Sequence, residues 1–346
     1  MNGHPSIVYA GGFWATNIGN AFYNLGLLHI LKESSPEADI YFLNDQAGWF
    51  WRGRGGGNPS NDLNYLQYIN PDFLVLAGPL INEKFIKIWG PTLKILSSKG
   101  VNLALLSVGC SKYNDYERNL MRGFFEKYPP HILMSRDQYT YDNFNDLAMH
   151  AYSGVCSAFF VPYVYKPIET DLEKYLIFNF DKSPEPEFKI VNSHEDGSGA
   201  VEFNGLKLQI KRKNRFNLKR RSYTTSLGDY KIVRAVHSCI PNYFPSRIRI
   251  PFRRKNSFVS DIPYGYLNLY ANTQGTFSDR VHACVVTLAY GNPAMLFSES
   301  PRSNLFERFG LNDIWRKPVL LDREKLDIEK ERVIEFLRGA FTIGGS

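Results

Sequence analysis

Short, almost unbroken apolar runs at Ser6 to Ala10, Asp39 to Leu43, Phe73 to Ala77, Leu103 to Val108 and His131 to Met134 recur through the first half of this chain, each followed by a polar or glycine-containing loop. Strands this continuously apolar are buried on both faces, which is the situation of a parallel sheet wrapped by helices. Helical spacing between them supplies the cover: Ala21 to Lys32, through Phe22, Leu25, Leu28 and Leu31, then Glu83 to Leu96, Asp115 to Lys127 and Gln138 to Phe144. The alternation pauses at Pro162 to Pro167. After a strand at Tyr175 to Phe180 it becomes irregular and charged, and it resumes with strands Lys231 to Val236, Ser257 to Val259, Thr276 to Ser278 and Ala294 to Phe297. Helices are predicted at Tyr264 to Asn272, Arg280 to Tyr290 and Glu324 to Leu337. The predicted fold class is α/β: two Rossmann-like domains, 1–165 and 166–346, facing across a cleft. An inserted β-hairpin, turning at Asn204-Gly205 where a type I′ turn demands positive φ, belongs to an irregular basic insertion at about 183–228 in the second half.

The 346 residues, 44% of them apolar, suffice for two cores. No run approaches the ~18 apolar residues that a membrane-spanning helix needs, and the start Met1-Asn2-Gly3-His4-Pro5 lacks a signal-peptide plan, so a cytoplasmic location is expected. Cys110, Cys156, Cys239 and Cys284 are widely separated and are read as reduced and buried; no metal site is expected. The formal charge of +7 is concentrated in Lys211 to Arg215, Lys219 to Arg221 and the cluster Arg247, Arg249, Arg253, Arg254 and Lys255. Such runs are commonly solvated faces, and they also suit contact with the anionic inner face of a membrane. Aromatic residues at 15%, with Trp14, Trp49, Trp51 and Tyr65 near the first loops, fit sugar stacking better than the tracking of a phosphate backbone, so nucleic acid is not an expected partner.

In open parallel sheets, ligands bind beyond the carboxyl ends of the strands. The loop after the first strand holds Gly11-Gly12 and then Asn17-Ile18-Gly19-Asn20, where glycines permit close backbone approach and asparagine can cap the next helix. Later strands run into Gly78-Pro79, Gly109-Cys110-Ser111 and Ser135-Arg136-Asp137, and His237 ends another. The strongest local pattern is Ser278-Asp279-Arg280-Val281-His282. Here a strand feeds a helix whose first turn would present free amides beside a guanidinium and an imidazole, an anion site with its own proton carrier. Ser135-Arg136 repeats the small hydroxyl followed by arginine. The same residues also suit an ion-paired arginine and a core histidine.

Arg280-x-His282, the apolar helix, Gly291-x-Pro293 and then Arg302 with Phe306 to Leu311 resemble the C-terminal signature of the polysaccharide pyruvyl transferase family. Asn17-x-Gly19-Asn20 and Ser135-Arg136-Asp137 are similar to that family's N-terminal elements, in the same order. Arg302 stands where lysine is commoner. The resemblance implies a GT-B-like fold and transfer of a pyruvyl group from phosphoenolpyruvate, as co-substrate and with no further cofactor, to two hydroxyls of one sugar. The acceptor it implies is a cell-surface polysaccharide or its lipid-linked precursor. It makes His282 the acid/base and gives Arg280, Val281, Arg136, Ser278 and Ser135 to the donor; Asn17, Gly19, Asn20 and Arg302, with the strand-end residues Gly78, Gly109 and His237, are further substrate contacts, core packing being the other reading of His237. A nucleotide-sugar glycosyltransferase of the same architecture is the alternative, with Arg280 on a diphosphate; a non-catalytic protein binding anionic surfaces through its basic runs is a third reading.

Overall fold

The computed structural model describes residues 4–15, 17–45, 65–66, 68–169, 173–181, 183–191, 199–212, 224–238, 256–298 and 300–342. Trp49, Trp51, Cys239, the cluster from Arg247 to Lys255 and the basic run beyond Arg212 lie outside them. The first half follows the expected alternation: β1 (Ser6–Gly11), α1 (Gly19–Ser34), β2 (Asp39–Asn44), β3 (Phe73–Ile81), α2 (Glu83–Ser98), β4 (Asn102–Cys110), α3 (Asp115–Lys127), β5 (Ile132–Ser135), α4 (Gln138–Phe144) and β6 (His150–Ser153). The strands form one parallel sheet in the order β2-β1-β3-β4-β5-β6. Alternate side chains serve opposite faces. Ile7, Tyr9, Phe73 and Val75 pack with Phe22, Leu27 and Ile30 of α1, whereas Val8, Leu74 and Leu76 meet Trp89 and Leu93 of α2 and Met121 and Phe125 of α3. Each such burial contributes about 1.5–3 kcal/mol. Side chains fix the helix starts: Asn82 caps α2, Asn114 caps α3, and Asp137 caps α4 by accepting the Thr140 amide at 2.8 Å.

Where the pattern paused, a 3₁₀ turn (Ser157–Phe160) and the short α5 (Val161–Val164) carry the chain across to the second half. A Cβ on Gly26 of α1 would fall 1.9 Å from the Ser157 carbonyl oxygen, so helix and crossing segment touch backbone to backbone.

The second half contains β7 (Tyr175–Asn179), β8 (Glu187–Ile190), β9 (Val201–Phe203), β10 (Leu206–Lys211), β11 (Ser226–Leu227), β12 (Tyr230–Ala235) and β13 (Ser257–Phe258). It continues with α6 (Pro263–Ala271), β14 (Thr276–Ser278), α7 (Val281–Ala289), β15 (Ala294–Leu296), a 3₁₀ segment (Pro301–Phe309) and α8 (Arg323–Ala340). Its main sheet runs β11-β12-β7-β14-β15, with β13 beside β12, and is parallel except at β11. β8, β10 and β9 form a separate antiparallel sheet, and β9 turns into β10 through Asn204 (φ 47°) and Gly205 (φ 78°). One face of the main sheet is roofed by this small sheet, Phe188, Phe203 and Leu208 lying over Leu176, Phe178 and Phe277, and not by helices. α8 returns to the first half, where it packs on α1, and Phe341 just beyond it meets the Phe73 ring edge-on. No described helix is long and apolar enough to cross a membrane.

Candidate active site

The carboxyl ends of both parallel sheets open onto one cavity of about 90 Å³. Asn17, Gly19 and Asn20 reach it from the loop after β1, Pro79 from the end of β3, Arg136 from the turn after β5 and His237 from beyond β12. Asp279, Arg280, Val281 and His282 arrive from the start of α7, and Ser300, Arg302 and Leu305 from the segment after β15. Arg280 and His282, two residues apart, share this cavity because the helix begins between them, at Val281.

Three guanidiniums gather here, each on different supports. Arg136 is 2% exposed, and neither its Nε nor its Nη2 has a hydrogen-bond partner among the described residues. Its one neighbouring carboxylate, Asp137, stands 4.0 Å from Nε and is committed elsewhere, capping α4 and accepting a 2.9 Å hydrogen bond from the Tyr113 hydroxyl. Gly109 makes room for the Arg136 side chain, since a Cβ there would lie 2.5 Å from Nε. Arg280 pairs through Nε with Asp181 at 3.4 Å and donates from Nη2 to Asn17 Oδ1 at 3.4 Å. Arg302 donates to the Ser111 hydroxyl at 2.9 Å; burial and the nearby Arg136 push its pKa down. Two buried donors without partners are costly in a folded interior, and the same guanidinium lines the cavity, where charge favours an anion.

The histidines differ. His282 sets Nε2 3.7 Å from the Cys156 thiol and its ring 5.5 Å from that of Tyr23; Nδ1 lies beside Gly19, where an added Cβ would approach within 3.2 Å. His237 is 3% exposed, holds Tyr270 Oη at 2.6 Å and is packed edge-on by Phe22, Tyr266 and Tyr270. Burial, reinforced by Arg280, pushes its pKa well below the usual histidine range, so it is a neutral wall of the cavity. Its carbonyl joins the two halves by accepting from Ile18 N–H at 2.8 Å, and its amide donates to Asp181 Oδ2 at 2.8 Å within the second half. Burial raises the Asp181 carboxyl to about 6, with Arg280 opposing that rise.

Four expected contact residues lie outside the lining. Ser135 and Ser278 are fully buried at strand ends, and the Ser278 hydroxyl accepts the Arg280 amide at 2.8 Å, shaping the loop from within. Neither serine caps a helix: Asp137 caps α4, and α7 starts at Arg280 without a side-chain cap. Gly78, at φ 98°, lies against Tyr23, and Gly109 acts only by leaving space. Nor do the asparagines cap α1. Asn17 Nδ2 donates to Asn20 Oδ1 at 3.1 Å, and Asn20 Nδ2 to the Phe13 carbonyl at 2.9 Å, bonds within the loop that lines the cavity. Trp14 stacks on Phe42 and is partly buried in the core. Cys110, Cys156 and Cys284 are free and buried. Sequence reasoning missed Asp181, Ser111 and Cys156. Asp181 follows β7 directly and the strand-end rule reaches it; a lone cysteine in an apolar stretch carries no such signal.

No curated protein matches the sequence significantly. Among solved structures the chain is similar to the S. aureus MnaA–UDP co-structure (9% identity, 97% of this chain and 91% of that chain covered, TM-score 0.52). It is also similar to UDP-GlcNAc 2-epimerase from Neisseria meningitidis bound to UDP-GlcNAc (10%, 96% and 99%, TM-score 0.52) and to UDP-N-acetylglucosamine 2-epimerase from Rickettsia bellii (9%, 97% and 96%, TM-score 0.51). At this identity the likeness establishes the fold, a GT-B-like α/β architecture. The family model for polysaccharide pyruvyl transferase matches residues 17–301, from the asparagine loop through Arg136 and the Arg280-x-His282 turn to the start of the Arg302 segment. The chain therefore belongs to the polysaccharide pyruvyl transferase family and is an enzyme of that kind.

Proposed function

We propose that this enzyme moves a pyruvyl group from phosphoenolpyruvate onto two hydroxyls of one sugar in a cell-surface polysaccharide or its lipid-linked precursor, closing a cyclic ketal and releasing phosphate. The observation that carries the reading is the pairing of the unsatisfied Arg136 guanidinium with Arg280, Arg302 and His282 around one small cavity. Phosphoenolpyruvate presents a phosphate and a carboxylate on a three-carbon frame, and three cations from separate strand ends match that charge. The volume of about 90 Å³ is well below the ~300 Å³ at which pockets for drug-sized ligands begin, which favours a small donor over a nucleotide sugar.

In this mechanism the arginines and the first-turn amide of Val281 hold the donor anion. His282 delivers a proton to C3, so C2 becomes electrophilic and takes the oxygen of the first sugar hydroxyl, whose proton passes back to the imidazole. The C2–O bond to phosphate then breaks with its electron pair leaving on phosphate, beside the guanidiniums. The second hydroxyl adds to C2 and gives its proton to the departing phosphate, and the ketal is complete. The basic residues from Lys211 to Arg221 are assigned to the inner face of an anionic membrane, where a lipid-linked acceptor would be met, although Arg212 itself stacks on the Phe297 ring at 5.7 Å.

The test is incubation with phosphoenolpyruvate and a panel of glycosides, following phosphate release and the acid-labile mass gain of a ketal. His282→Ala should abolish turnover while leaving most of the donor-induced thermal stabilisation, and Arg280→Ala should remove that stabilisation. The reverse ordering overturns the role assignment. Absence of product across the panel, with stabilisation by nucleoside diphosphates and none by phosphoenolpyruvate, overturns the reading in favour of a nucleotide-sugar enzyme.

A further inference from the structure

We infer that Glu117 is a positioning residue for the anion site, acting through the loop after β4. Glu117 opens α3 and is 2% exposed. Its Oε2 accepts three consecutive backbone amides, from Ser111 at 2.9 Å, Lys112 at 2.8 Å and Tyr113 at 3.1 Å. A single buried carboxylate oxygen thus clasps a whole turn, and Tyr113 takes a left-handed φ of 55° within it. Charge-assisted bonds of this kind are about twice as strong as neutral ones, so together they can hold a conformation that a tyrosine rarely adopts.

The clasped turn carries two side chains toward the cavity. The Ser111 hydroxyl accepts the Arg302 Nη2 donor at 2.9 Å, a bond from the first half of the chain to the second. The Tyr113 hydroxyl donates to Asp137 Oδ2 at 2.9 Å, occupying the carboxylate that otherwise would draw in the Arg136 guanidinium. One carboxylate therefore sets two of the three cationic groups: Arg302 is aimed, and Arg136 is kept from a full ion pair. Glu117 also lies close enough to Arg302 to oppose electrostatically the fall in its pKa.

This inference rests on the anion-site part of the reading above and is independent of which anion is transferred, so it is tested with two probes, inorganic phosphate and phosphoenolpyruvate, in calorimetric titrations of the full chain. Ser111→Ala should weaken phosphate binding about tenfold, the scale of one hydrogen bond to a charged group, with the unliganded melting temperature held within about 2 °C. Ser111→Thr, which keeps the hydroxyl, should restore affinity to within about twofold of wild type. Glu117→Gln should shift phosphate affinity in the same direction as Ser111→Ala, and a folded Glu117→Gln with wild-type affinity overturns the inference; if that variant fails to fold, the Ser111 pair tests the link through which Glu117 acts. Unchanged phosphate affinity in Ser111→Ala, or Ser111→Thr as weak as Ser111→Ala, overturns the inference. Phosphoenolpyruvate binding no tighter than phosphate counts against the donor assignment and leaves the clasp standing.

Discussion

Replacing Arg136 by methionine should make the unliganded protein more stable and at the same time strip it of its donor. The side chain is 2% exposed, and two of its three guanidinium nitrogens, Nε and Nη2, lack hydrogen bonds among the described residues. Each buried donor left unsatisfied costs about 1–3 kcal/mol, so an apolar side chain of similar length that removes both, set against the loss of the 4.0 Å contact with Asp137, should stabilise by ~1–4 kcal/mol. For a chain of this size a gain of that order corresponds to a rise of roughly 2–6 °C in melting temperature. The guanidinium also lines the cavity, and losing two charge-assisted bonds to an anion, ~1.5–3 kcal/mol each, should weaken donor binding about 10²- to 10⁴-fold. Scanning fluorimetry with and without phosphoenolpyruvate reads both effects in one experiment. Wild type should melt lower when empty and rise on adding donor; Arg136→Met should start higher and barely move. A variant that melts below wild type and keeps the full donor-induced shift would show Arg136 to be a structural cation, and the argument from its unmet donors would fail.

Gly109→Ala leaves every cavity residue in place chemically yet sets a methyl 2.5 Å from Arg136 Nε and 2.8 Å from Asp137 Oδ2. Overpacking of ~1–3 kcal/mol should appear as a 10- to 100-fold loss in donor affinity with an unchanged circular dichroism spectrum; wild-type affinity would refute the packing argument. Asp181 gives a pH signature. Its carboxyl, at about 6 in the fold against 3.8 for an ordinary aspartate, binds a proton more tightly when folded than when unfolded, so its contribution to stability falls as pH rises from about 4 to about 6. Denaturation midpoints of wild type should therefore decline relative to Asp181→Asn across that window, by up to roughly 3 kcal/mol; parallel curves would remove burial as the dominant influence on this group.

The parallel sheets were legible because continuous apolar strands and 3.6-residue periodicity are strong local signals; α3 and α4 begin and end where the spacing places them, at Asp115–Lys127 and Gln138–Phe144. β6 was not, since His150 to Ser153 is a partly buried strand without an apolar run, recruited by pairing with β5 alone. The small sheet over β7 and β14 was half visible: its Asn204-Gly205 turn is local chemistry, whereas β8 joins it through a contact that no local pattern announces. At the site, Arg136, Arg280, His282 and Arg302 stood out as charged residues after strands. Ser135 and Ser278 lie outside the cavity lining, which the sequence does not show, because a hydroxyl beside an arginine looks alike there whether it faces a ligand or, as Ser278 does, bonds its own loop. Asp181 and Cys156 act across long separations in the chain, and Glu117 reaches the second half only through Ser111, so these roles exist only once the chain has folded.

The path of the last helix bears on how such a chain can be made. α8 contributes Val333, Ile334 and Leu337 to the apolar cluster that includes α1, the Phe341 ring seats against Phe73 of β3, and Tyr152 of β6 hydrogen-bonds Glu329 at 3.0 Å. The packing of the first sheet and α1 thus closes only when α8, far along the chain, has joined them. Two separately produced halves would each carry a raw apolar surface, and cutting the chain near residue 165 would part the first sheet from its own lid.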